Sequence, residues 1–202
     1  MSNNAPEATR EKLISVAIEE FAARGFHGAS IAQIAGRLDL SKQALLYHFK
    51  RKEDLYAEVL KSISDHLLSV VRSSTEPGAS PEDQFEQLIL GFLQTAYDSP
   101  LETKVIMREI LDNQRKDAAP EEWYLKTFLD AIIAKYDDIE GKAALPFAQK
   151  IAAVYAIISS IEFFSASGYV LKRFYGSEEF DGIQAAYREE LRAQIRRMVV
   201  SS

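Results

Sequence analysis

Lys42, Gln43 and Ala44 stand directly behind Ser41, and Tyr47, His48, Lys50, Arg51 and Lys52 follow in the same short run. A lysine ammonium donates to guanine O6 and N7, and a glutamine amide pairs bidentately with adenine N6 and N7. Phenol, imidazole and ammonium groups hold phosphate oxygens, which fix register on a duplex without reading its sequence. The order of types fits a helix whose first residues meet base edges and whose end meets the backbone. The chemistry on offer is recognition rather than bond-making.

Two elements must position these side chains. Ser30 stands three residues before Gln33, the spacing of a capping box, and Ile31, Ile34, Ala35 and Leu38 repeat at helical spacing behind it. Asp39-Leu40 interrupts the pattern, and Ser41 is a second N-cap. Leu40 and Leu45 flank that cap with the spacing of a hydrophobic staple, which sets the angle at which the second helix leaves the turn. Two short capped helices joined by a tight turn predict a helix-turn-helix over 30–49. The competing reading of the same pattern is a plain helical hairpin with a charged exit.

The run GFHGASIAQIAGRLDLSKQALLYHFKRKEDL, from Gly25 to Leu55, resembles the DNA-binding domain of the TetR (tetracycline repressor) family. Gly25, Phe26, Ser30, Ile34, Ala35, Ser41, Lys42, Leu45, Tyr47, His48, Phe49, Lys52 and Leu55 carry the likeness. The resemblance implies an all-α fold, a DNA-binding role for Ser30, Lys42, Gln43, Ala44, Tyr47, His48 and Lys52, dimerisation through the last two long helices, and an effector pocket. Asp39 replaces the usual turn glycine, and aspartate tolerates a left-handed backbone. Ala44 and Leu46 replace a common threonine and tyrosine, removing two hydroxyls from the recognition surface.

The 202 residues fit one or two domains, and 47% hydrophobic content is ordinary for a protein with a full core. No cysteine is present, which excludes disulfides and thiolate chemistry. Residues 1–52 hold eight Lys/Arg against five Asp/Glu, a charge of +3, whereas the remainder holds sixteen against twenty-five, a charge of −9. The basic excess sits on the segment expected to meet phosphate, and an acidic body discourages non-specific sticking. Met1 to Glu7 lacks the apolar core of a signal peptide, so a cytoplasmic location is expected.

Thr9 to Arg24 reads as an amphipathic helix ended by Gly25, and Lys52 to about Ser74 as a long one with its apolar face from Leu55 to Val71. After the loop at 75–81, further helical patterns cover Glu82–Asp98, a segment opened by Pro100 and one opened by Pro120. Two more are expected from Pro146 to about Leu171 and from Ile183 to Val200. The expectation is about nine helices, with a DNA-binding domain over 1–51 and an effector-binding and dimerisation domain over 52–202. Ile151 to Leu171 approaches membrane length but is interrupted by Glu162, four serines and Gly168, and reads as a helix buried on several sides.

The body is rich in large side chains, from which Phe92, Met107, Arg108, Trp123, Phe128, Tyr155, Glu162 and Phe163 are candidates to line a pocket. Core filling is the competing role for each aromatic. Arg108 and Asp112 have the spacing of an intrahelical pair. Glu162 stands out: a carboxylate in apolar company needs a partner, a ligand or a second subunit. No Gly-rich phosphate loop, nucleophile elbow or metal-spaced cluster is present, so neither cofactor nor metal is expected. Three functional classes stay open: a ligand-responsive regulator, most simply a repressor on a palindromic operator; an architectural or partner DNA-binding protein without an effector; and an enzyme or carrier containing a helical hairpin.

Overall fold

The computed structural model describes residues 4–73, 78–112 and 124–200. Among them are nine helices and no strand: α1 (Asn4–Gly28), α2 (Ile31–Gly36), α3 (Lys42–His48), α4 (Lys52–Ser73), α5 (Pro81–Asp98), α6 (Pro100–Asp112), α7 (Tyr124–Asp137), α8 (Phe147–Tyr175) and α9 (Ser177–Val199). The all-α expectation holds.

Local chemistry accounts for most of the boundaries. Ser30 Oγ accepts from the Gln33 amide at 3.4 Å, and Ser41 Oγ accepts from the Ala44 amide at 3.1 Å, so both expected caps form. Asp39 has φ 56°, the only positive φ outside glycine among the described residues, and it makes the turn between α2 and α3. Ser80 caps α5 through the Asp83 amide at 3.1 Å, with Pro81 preset at the helix start. Pro100 opens α6 as expected.

Three boundaries differ from the sequence reading. α1 breaks at Gly25 (φ 69°, ψ 176°), a positive-φ extended conformation rather than the expected left-handed cap, and the chain then turns helically again to Gly28. α8 runs four residues further than expected, and α9 begins at Ser177 rather than Ile183. A single residue, Gly176 at φ 90°, separates these two long helices. Glu178 and Glu179 in the first turn of α9 favour its start electrostatically. Phe180 alone gives too weak a periodic signal for that turn to be read in advance. The start expected at Pro120, and Trp123 with it, lie outside the described residues.

Leu13, Ala17 and Phe21 of α1 pack on Ile34, Leu45, Phe49 and Leu55 to close a three-helix unit, all of these side chains being buried. The same apolar cluster continues along α4 through Val59 and Ile63 into Phe85, Leu88 and Ile89 of α5, and on to α8 and α9. α4 thus belongs to both halves of the molecule. α8 departs from expectation: only 28% of its most apolar stretch is buried within the chain. Phe163, Val170 and Phe174, one stripe at i, i+7 and i+11, stay exposed. Among the described residues, α8 is the one helix long and apolar enough by composition to cross a membrane.

Candidate DNA-binding face and ligand cleft

The two caps and the Asp39 turn set α3 against α2 with Leu45 buried beneath it and Leu40 packed on the same core. What remains outward is the expected reading surface. Lys42, Gln43 and Tyr47 are exposed, Tyr47 to 86%, while Ala44 and His48 are half-buried beside them. An exposed phenol of that extent has no part in the core. Its ring meets His48 edge-on at 5.7 Å, so the two aromatic groups form one projecting pair.

The cations divide into free and engaged. Lys42 and Lys50 are exposed with no ion pair among the described residues. Arg37 is held by Glu19 at 2.5 Å and Arg51 by Asp54 at 2.9 Å. Hydrogen bonding to Asp54 raises the Arg51 pKa further, and the same bond holds the Asp54 carboxyl below its usual range. Lys52 donates to the His27 carbonyl at 3.3 Å, with its ammonium 4.7 Å from the centre of the Phe26 ring. Two of its three N–H donors are left over from that bond. Ser30 is half-buried, and its hydroxyl oxygen is used as the cap of α2.

Between this face and the body lie ties that the sequence did not disclose. Arg108 of α6 donates through Nε to the Ala22 carbonyl at 3.1 Å and through Nη2 to the Ala23 carbonyl at 3.2 Å. These carbonyls are exposed to it by the break at Gly25, so a guanidinium caps the end of the first segment of α1. A Cβ on Gly25 would lie 3.1 Å from Arg108 Nη1. Tyr56 donates to Glu109 Oε2 at 2.9 Å in a buried bond, and His66 Nδ1 lies 2.8 Å from Glu102 Oε2. α6 therefore grips both α1 and α4.

On the other side of α6 is a half-open cleft of about 270 Å³ between α4, α6, α7 and α8. Met107, Phe128, Tyr155, Glu162 and Phe163 line it as expected. Phe92 and Arg108 do not: Phe92 is buried against Phe128 (ring centres 5.2 Å apart) and Arg108 points the other way, to α1. The wall also contains residues not anticipated, among them Leu67, Leu125, Leu129 and Ser159. Tyr155, Ser159, Glu162 and Phe163 fall at i, i+4, i+7 and i+8 of α8, a spacing that carried the signal for a shared face. The aliphatic contributors from α4 and α7 had no such mark. Phe164, by contrast, is structural: it stacks on Tyr187 at 3.9 Å, locking α8 to α9.

Glu162 is the one acid in the wall of the cleft, only 7% exposed, and its Oε2 has no hydrogen-bond partner among the described residues. Burial pushes its carboxyl up to about 7, with no cation among the described residues offsetting it.

Residues 13–59 match the family model described as bacterial regulatory proteins, tetR family. The chain is 33% identical over 109 residues to the HTH-type transcriptional regulator RutR of Escherichia coli K12, covering 54% of this chain and 51% of that protein. It is 42% identical over 65 residues to the HTH-type transcriptional activator FasR of Mycolicibacterium smegmatis, covering 32% and 30%. The matches thus span about half the length of the relatives or less. A regulatory protein of the tetR family from Rhodococcus RHA1 shares the fold over 96% of this chain and 97% of its own, with TM-score 0.69 and 23% identity. A tetR-family model thus covers the segment from α1 into α4, and the chain shares its fold with that solved regulatory protein.

Proposed function

We propose that the chain is a cytoplasmic, homodimeric, sequence-specific transcriptional regulator, a repressor that leaves a palindromic operator when a small molecule enters the α6–α8 cleft. Residues 1–51 take the DNA, and residues 52–202 take the effector and the second copy. Lys42, Gln43 and Ala44 face base edges, while Ser30, Tyr47, His48 and Lys52 face the backbone. Contact of α8 and α9 with their counterparts covers the exposed stripe of Phe163, Val170 and Phe174. The partner also sets two α3 helices about 34–36 Å apart, or a multiple of that, on one side of a duplex.

One observation carries the reading: α4 runs unbroken from Lys52 at the DNA face to Leu67 in the cleft wall. At about 1.5 Å per residue those two positions are roughly 22 Å apart on a single rod. An effector that binds one setting of this rod better than another shifts the spacing of the two α3 helices. The architectural reading calls for a body without a cavity, and the cleft counts against it. The relatives include a protein named as an activator, so the sign of regulation is part of the test.

The test is selection of duplex DNA from a random pool by the purified protein. A recovered palindrome with half-sites one helical turn or a multiple apart supports the reading. A non-palindromic motif, or no enrichment at low salt, overturns it. Transcription from a promoter carrying the recovered site then distinguishes repression from activation.

A further inference from the structure

The cleft has a chemistry beyond being apolar. Its wall is built from side chains such as Met107, Leu125, Phe128 and Leu129, which favour a hydrocarbon body. Glu162 interrupts that wall with a carboxylate oxygen that nothing in the described chain satisfies. Burying such a group without a partner costs free energy, and evolution of a fold tolerates it where a ligand supplies the missing donor. Behind Glu162 a narrow crevice continues to Glu102, a second carboxylate, held by His66 at 2.8 Å. An acid entering here meets two carboxylates against one imidazole. A cation meets the opposite.

Resting on the reading of this cleft as the effector site, we propose that its ligand is a small lipophilic amine. Its ring or short chain lies against Met107 and Phe128, and its ammonium donates to Glu162. The rings of Phe128, Tyr155 and Phe163 in the same cleft wall add quadrupole attraction for a cation. Size follows from volume. A cavity of about 150 Å³ accommodates benzene, so 270 Å³ suits one or two fused rings bearing a short aminoalkyl arm.

The test titrates the full-length protein, without DNA at pH 8, with 2-naphthylethylamine, 2-naphthylethanol and 2-naphthylacetate, which share one apolar body. The amine should bind about tenfold or more tightly than the alcohol, the difference a charge-assisted hydrogen bond makes, and the acid most weakly. Glu162→Gln should bring amine and alcohol within about threefold of each other, with a wild-type helical circular-dichroism spectrum and a cooperative urea transition showing that the variant is folded. An amine no tighter than the alcohol overturns the proposal, as does a preference that survives Glu162→Gln, strongest binding by the acid, or no binding by any of the three. Release of the selected operator is read separately. Glu162-dependent amine binding that leaves DNA bound refutes the effector reading and keeps the amine site. Release by the alcohol as readily as by the amine does the reverse.

Discussion

Glu162→Gln should change how the stability of this protein depends on pH, and the size follows from the site. Burial raises the carboxyl from its ordinary 4.5 to about 7 in the folded chain. The folded state therefore binds the proton more tightly than the unfolded state, and ionisation disfavours folding. Below about pH 4.5 the group is protonated in both states and contributes no penalty; as pH rises the penalty grows, and above about 7 it is fully present. At 1.36 kcal/mol per pKa unit, the penalty is about 1.4 kcal/mol at pH 5.5 and about 3.4 kcal/mol at pH 8.5.

Glutamine keeps the shape and has no charge to lose, so the stability of the variant relative to wild type should rise by about 2 kcal/mol between those two pH values. Its carboxamide still needs partners, which shifts the whole difference by a constant and leaves the slope. Other titrating groups cancel in the comparison provided they are untouched. Among the described residues these include Glu102 of α6 across the crevice, His66 of α4 bound to it, and Tyr155 on α8 itself. The measurement is urea unfolding of both proteins at each pH and at one fixed concentration, so that any contribution of self-association is the same for both. A difference that stays flat from pH 5.5 to 8.5 refutes the reasoning: it means that Glu162 is ionised against a cation in solution, and the unpartnered carboxylate is lost with it.

The remaining predictions concern the DNA face, the α1–α6 tie and the α8 stripe. Lys42→Ala and Gln43→Ala should each weaken operator binding by about 1–3 kcal/mol with little effect on random duplex, whereas Lys52→Ala should weaken both and flatten the salt dependence by about one unit of slope. Equal losses on operator and random DNA for the first pair would remove base reading from α3. Gly25→Ala meets a φ of 69° and the Arg108 guanidinium 3.1 Å from the new Cβ, so unfolding should become easier by about 1–3 kcal/mol. The control is Gly36→Ala, with nothing within 4 Å, which should be neutral or slightly stabilising by urea titration. Phe174 is 69% exposed in the single chain, and Phe174→Glu should shift sedimentation toward the monomer and abolish operator binding in parallel. A dimer unchanged by that substitution places the interface elsewhere.

What the sequence determined by itself was whatever depends on a few consecutive residues. Ser30 and Ser41 reach amides three positions on, Asp39 adopts the left-handed backbone that aspartate tolerates, and the Leu40–Leu45 spacing aims α3, so the two short helices and the turn between them were legible. The carboxylate at position 162 was conspicuous for the same reason, as a charge inside an apolar helical period. Tertiary structure alone decided which side chains surround it. Leu67, Leu125 and Leu129 come from helices far apart in the chain, and a void is the residue of how those helices cross rather than a property of any one of them. It decided too that Arg108, on a helix that also lines the cleft, turns away to the carbonyls of Ala22 and Ala23. Those carbonyls become acceptors only where α1 breaks and α6 passes within reach, a meeting of groups more than eighty positions apart. Local hydrogen bonds are written in spacing, whereas long-range ones are written only in the packed molecule.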